Sequence, residues 1–159
     1  MTKQIVTAVT SALVLMVFCL PTVVAQTVTT VNDLNFGDGL PGIPKTVSKA
    51  TPGAAAEYSI SGTAGEEVLI DFTLPSHLVH NSDLLLVSFS TTDCAIDSSD
   101  GGNQSSPAWN NQNPHNTLTA TLGTGGLTIW LGGTISPKYT QPQGAYTGEI
   151  VVTVSPSGT

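Results

Sequence analysis

The stretch Glu67-Val68-Leu69-Ile70-Asp71-Phe72-Thr73-Leu74-Pro75 constrains the fold more than any other part of the chain. Val68, Ile70, Phe72 and Leu74 fall on one side of an extended backbone, and Glu67, Leu69, Asp71 and Thr73 fall on the other. A helix would scatter these residues around its axis, whereas a strand buries one row and wets the other. Pro75 has no N–H to offer a ladder and ends the element.

The same period of two recurs along the chain. Leu34 and Phe36 form a row in Val31 to Phe36, closed by Gly37-Asp38-Gly39 and by Pro41, Gly42 and Pro44. Tyr58 and Ile60 alternate with Glu57, Ser59 and Ser61 ahead of Gly62-Thr63-Ala64-Gly65. Leu85, Val87 and Phe89 form a row bounded by Asn81-Ser82-Asp83 and Thr92-Asp93. Leu118, Ala120 and Leu122 run through Gly123-Thr124-Gly125-Gly126 into Leu127, Ile129 and Leu131, the signature of a hairpin. Trp130 is out of phase with its neighbours and is expected on the opposite sheet face, exposed or covered by a neighbouring subunit. Ile150, Val152 and Val154 make the last row. About seven short strands with glycine-rich turns and no helical periodicity between them predict an all-β fold, an antiparallel immunoglobulin-like β-sandwich.

Ahead of the first strand, Ile5 to Leu20 is an apolar run behind Lys3, followed by Pro21 and then Thr22-Val23-Val24-Ala25. The run is shorter than the roughly 20 residues that cross a bilayer, and small residues precede Gln26 as signal peptidase requires. Residues 1–25 therefore read as a cleaved signal peptide and residues 26–159 as a single domain, secreted to the extracellular space or cell surface. Cleavage leaves Lys45, Lys49 and Lys138 against eleven acids, a formal charge of −8 with no arginine. Phosphate-rich partners need cations, so nucleic acid and the anionic membrane surface are excluded as partners after cleavage.

Cys94 is left without an intrachain partner and is expected to be buried, the alternative being an interchain bond. The segment 94–116 is rich in Asp, Ser, Asn, Gln and Gly and is expected to be one long polar loop, the most variable surface. Asp93, Asp97 and Asp100 with Asn103 supply oxygens of the kind Ca²⁺ prefers, but the spacing from Asp97 to Asn103 matches no calcium loop, and a solvated turn-rich segment is the expectation. Trp109 either stacks on a ligand or folds back over the sandwich end. His77 and His80, in what reads as a connection, and His115 lack a metal-ligand spacing, so no metal or cofactor is expected. No nucleophile elbow occurs and the inward rows use plain core residues, so no enzyme is expected.

Four segments stand in order: Asn32-Asp33-Leu34-Asn35-Phe36-Gly37; Gly62-x-x-Gly65 leading into Val68-x-Ile70-x-Phe72-x-Leu74-Pro75; Leu127-x-Ile129-x-Leu131-Gly132-Gly133-Thr134-Ile135; and Gly144-x-Tyr146-x-Gly148 before the last strand. Their order and spacing resemble a family of small secreted bacterial β-sandwich domains of unknown function, similar in layout to spore coat protein U-like domains and chaperone–usher fimbrial subunits. The resemblance implies a structural, surface-assembled role with no catalytic residues. It also implies self-association into a polymer, with an assembly chaperone and an outer-membrane usher as further partners.

A sandwich with an open edge is completed by a strand from another molecule, and a head-to-tail repeat of that contact makes a filament. The candidate donor is Gln26-Thr27-Val28-Thr29-Thr30-Val31. The competing expectation is a monomeric adhesin or glycan- or protein-binding module that uses Asp97, Asp100, Asn103, Trp109 and His115. Gly144, Tyr146 and Gly148 read as a structural corner, with the Tyr146 hydroxyl bonded to nearby backbone.

Overall fold

The computed structural model describes residues 26–158, so the expected signal peptide lies outside the described residues. Twelve strands are present and no helix is found among the described residues. They are β1 (Thr27–Asn32), β2 (Lys45–Val47), β3 (Ala56–Ser61), β4 (Glu67–Thr73), β5 (His77–His80), β6 (Asp83–Ser88), β7 (Cys94–Asp97), β8 (Trp109–Gln112), β9 (Leu118–Thr121), β10 (Leu127–Leu131), β11 (Gly133–Ser136) and β12 (Val151–Pro156). All pairings are antiparallel, in three sheets ordered β1-β3-β10-β7-β8, β2-β11-β6-β5 and β12-β4-β9. The all-β sandwich reading holds, with more strands than about seven.

The count rises because long extended runs bend and change sheets. β4 stops ahead of Pro75, and the chain resumes as β5 in a different sheet, so His77 and His80 lie on a strand and not in a connection. β10 and β11 are one run broken at Gly132. A Cβ there would stand 2.5 Å from the Val47 carbonyl oxygen and 2.6 Å from the Lys49 nitrogen. Only glycine lets these backbones approach so closely, and the bend carries the chain from the five-stranded to the four-stranded sheet.

The inward rows meet as the period of two requires. Tyr58 faces Ile129, which faces Ile96, and Ala56 faces Leu131, which faces Cys94. These residues join Val68, Ile70, Leu85, Val87, Leu118 and Leu122 in one core cluster fed by all three sheets. Burying each such aliphatic side chain contributes about 1.5–3 kcal/mol, and with Cys94 the only thiol among the described residues this packing has no disulfide to help it.

Four expectations need correction. The first strand is Thr27–Asn32, not Val31 to Phe36, because the β-branched Thr/Val run pairs with β3 while Asn35 turns aside to bond Ala54. Leu34 and Phe36 still pack on the core from a non-strand segment. The Gly123–Gly126 turn is tight, with bonds of 2.9 and 3.1 Å between its ends, but its arms do not pair: β9 joins β4 and β10 joins β3 and β7. The segment 94–116 is not one loop, since it contains β7, wholly buried, and β8. Finally, Trp130 does lie on the opposite face of its sheet, but its own chain covers it. A Cβ on Gly102 would be 2.9 Å from the indole, so the backbone of the 98–108 turn lies directly on the ring.

Candidate assembly edge, corner and groove

β1 occupies one edge of the five-stranded sheet. Thr27, Val28, Thr29 and Thr30 pair in order with Ser61, Ile60, Ser59 and Tyr58, and a bulge at Val31 shifts the register before Asn32 meets Glu57. The hydroxyls of Thr27 and Ser61 lie 2.5 Å apart, and Asn32 donates its amide to the Ala55 carbonyl at 2.7 Å. Gln26 packs beside Gly62, where a Cβ would come within 3.1 Å of it. Thr27 to Val31 are all exposed, Val31 by 57 %, and the strand carries no charge and no proline. Natural edges are often blunted by those residues, which this one lacks, and the bulge at Val31 is what interrupts it.

The corner forms opposite β5. Thr147 exchanges both backbone bonds with Val79, at 2.7 and 3.1 Å, which ties the segment before β12 to the edge of the four-stranded sheet. Tyr146 donates its hydroxyl to the Pro142 carbonyl at 2.9 Å and accepts from the Gln141 amide at 2.7 Å. The His80 ring packs tilted against Tyr146 with centroids 5.4 Å apart, and its Nδ1 donates to the Ala145 carbonyl at 3.1 Å. A Cβ on Gly144 would enter that imidazole, and one on Gly148 would stand 2.7 Å from Leu78. Both glycines are therefore required by close approach, and the Gly-x-Tyr-x-Gly spacing puts each beside a β5 side chain.

Between the segment 33–41 on one side and 141–150 on the other runs a groove of about 1060 Å³. Its floor is the core itself: Tyr58, Leu85, Val87, Phe89 and Ile135. Nothing in the alternation of the sequence marks it, because its walls are irregular segments drawn from both ends of the chain.

The polar residues of 94–116 do not converge on a ligand. Asp97 is buried, 4 % exposed, and accepts from the Ser99 N–H at 2.9 Å, the Ala108 N–H at 2.8 Å and the Ser99 hydroxyl. Burial alone would push this carboxyl up, but the bonds from Ser99, Ala108 and the Asn103 backbone outweigh it and hold the carboxyl below its usual range. Asp97 thus anchors the turn that covers Trp130. Asp100 lies against Gly125, and Asn103 turns its oxygen to Ser105 and Ser106. No group of three or more His, Cys, Asp or Glu is placed to hold a metal ion among the described residues. Trp109 is half-buried against the core, and His115 donates Nε2–H to the Phe89 carbonyl at 2.8 Å. Cys94 is fully buried, and burial pushes its thiol up to about 12 against the smaller pull of Lys49.

A family model described as Domain of unknown function (DUF4402) matches residues 26–155. The chain belongs to that family. In this DUF4402 domain the matched span takes in the β1 edge, both groove walls, the Gly144–Gly148 corner and nearly all of β12. Comparison with curated proteins gives no match at any part of the DUF4402 chain.

Proposed function

We propose that this DUF4402 domain is a non-enzymatic structural subunit of an extracellular or cell-surface filament, fimbria or coat, joined through the edge at its mature N-terminus. The observation that carries the reading is β1: six residues, uncharged, exposed throughout its first five positions and held by a single neighbour. A terminal edge strand of this kind leaves its own sheet by giving up its pairing with β3 and the Asn32 bond to Ala55. Its place beside β3 is then taken by the β1 of a second copy, and repetition of this head-to-tail exchange builds a polymer. The likeness in layout to spore coat protein U-like and fimbrial subunits supports the same reading, as does the signal-peptide pattern of residues 1–25.

The adhesin alternative draws less support, because Asp97, Trp109 and His115 use their polar groups and apolar area within the fold. The test is assembly of secreted protein at high concentration, followed by electron microscopy and unheated denaturing gels. Filaments and a heat-sensitive ladder are expected, and deletion of residues 26–30 should remove both. Protein that stays monomeric at all concentrations, on a native cell surface whose sheared filaments lack it, would sink the proposal.

A further inference from the structure

The groove beside the corner brings together core side chains, irregular backbone and exposed carboxylates. Its floor is formed by Leu85, Val87, Phe89 and Ile135, core residues between 3 and 9 % exposed. At about 1060 Å³ it lies just above the roughly 300–1,000 Å³ that small-molecule sites span. Its walls are irregular segments, of which Thr147 bridges to β5. Along 33–41 one backbone N–H, that of Asn35, bonds another main-chain group, and along 141–150 only those of Gln141 and Thr147 do so. The Gly37 N–H bonds the Asn35 side chain, and the carbonyls of Asp38, Leu40, Pro142, Ala145 and Thr147 accept bonds within the fold, so the remaining wall N–H groups are what an added chain would pair with.

Two further observations narrow what that chain carries. Tyr58 is 6 % exposed, contributes to the lining, and its hydroxyl has no hydrogen-bond partner within the described residues. A tyrosine hydroxyl is protonated at neutral pH, and burial and the nearby Asp33 carboxylate push it further up, so it stands as a donor for a carbonyl. The exposed carboxylates of Asp33, Asp38 and Glu149 also line the groove, and none has an ion-pair partner among the described residues. Lys45 gives its Nζ to the Asp38 carbonyl oxygen.

We infer that this groove binds an extended, positively charged strand of a different protein, with alternate apolar side chains on the floor and cationic ones against Asp33, Asp38 and Glu149. A second copy of this chain is the poorer fit, since its formal charge after the expected cleavage is −8 and its exposed edge strand β1 has no cation. Three carboxylates without partners repel an acidic visitor and attract a basic one.

The inference stands apart from the assembly reading, and the experiment separates them. Fluorescent eight-residue peptides alternating valine and threonine, with lysine or with glutamate at both ends, are titrated into the secreted protein and followed by anisotropy. A peptide of residues 26–32 is the third probe. The lysine peptide is expected to bind about tenfold more tightly than the glutamate peptide at low salt, with the margin shrinking as salt rises. The triple change Asp33→Asn, Asp38→Asn, Glu149→Gln, all at exposed positions, should abolish that margin, and Tyr58→Phe should weaken both peptides. Equal affinity for lysine and glutamate peptides, or no saturable binding of the lysine peptide, overturns the inference. Equal binding by the 26–32 peptide also overturns it and assigns the groove to a second copy. Filaments without peptide binding sink the groove alone, and peptide binding without filaments sinks the assembly reading alone.

Discussion

Asp97→Asn keeps the size of the side chain but turns one acceptor into a donor facing an N–H. Either Ala108 or Ser99 then loses its partner in a buried place, which costs about 1–3 kcal/mol. Urea titration at neutral pH measures the loss. The pH profile is a second readout. The carboxyl is held below its unfolded value near 4, so its contribution is complete at neutral pH and disappears as pH falls through the folded value. Wild-type protein should lose stability below about pH 4, and Asp97→Asn should lose less over that range. Tyr146→Phe removes one hydrogen bond given and one received, for a cost of about 1 kcal/mol by thermal melting. Gly144→Ala should cost more than Tyr146→Phe, because its methyl group meets the His80 ring. The Gly-x-Tyr-x-Gly spacing singled out the segment in which the Tyr146 hydroxyl bonds the Pro142 carbonyl. The sequence did not show that Asp97 would be buried, because an Asp-Ser-Ser-Asp run reads as a solvated turn and the bond from Ala108 comes from eleven residues away.

At the scale of the element, β1 is the strand whose change is most informative. Val28→Lys with Val31→Lys places charge on an exposed edge without touching the core, so monomer stability should stay within about 0.5 kcal/mol. The same pair should suppress self-association measured by analytical ultracentrifugation, since charge is the usual guard of a free edge. Unchanged association would move the assembly contact elsewhere. Strand positions such as β4 and β6 were legible because one row is wholly apolar and glycine, proline or asparagine brackets it. β7 was not, because Cys94-Ala95-Ile96-Asp97 is buried on both faces and so shows no alternation. β1 was misplaced for the opposite reason: it is exposed on both faces, and only its partner β3 sets its limits.

Taken whole, the molecule joins strands far apart in sequence, as in β1 with β3, β3 with β10 and β4 with β12. Non-local pairing of this kind implies stopped-flow refolding on the roughly millisecond-to-second scale, and microsecond folding would contradict the topology. Reductant should leave the melting temperature of the 26–159 domain unchanged, since Cys94 is sealed in the core. The sequence by itself determined the all-β class, the inward rows and the turns, because side-chain periodicity and glycine or proline chemistry are local properties of the backbone. The tertiary structure alone decided where a run changes sheets, what covers Trp130 and that the core opens between 33–41 and 141–150. Each of these depends on which distant segments lie side by side, and no local pattern records that.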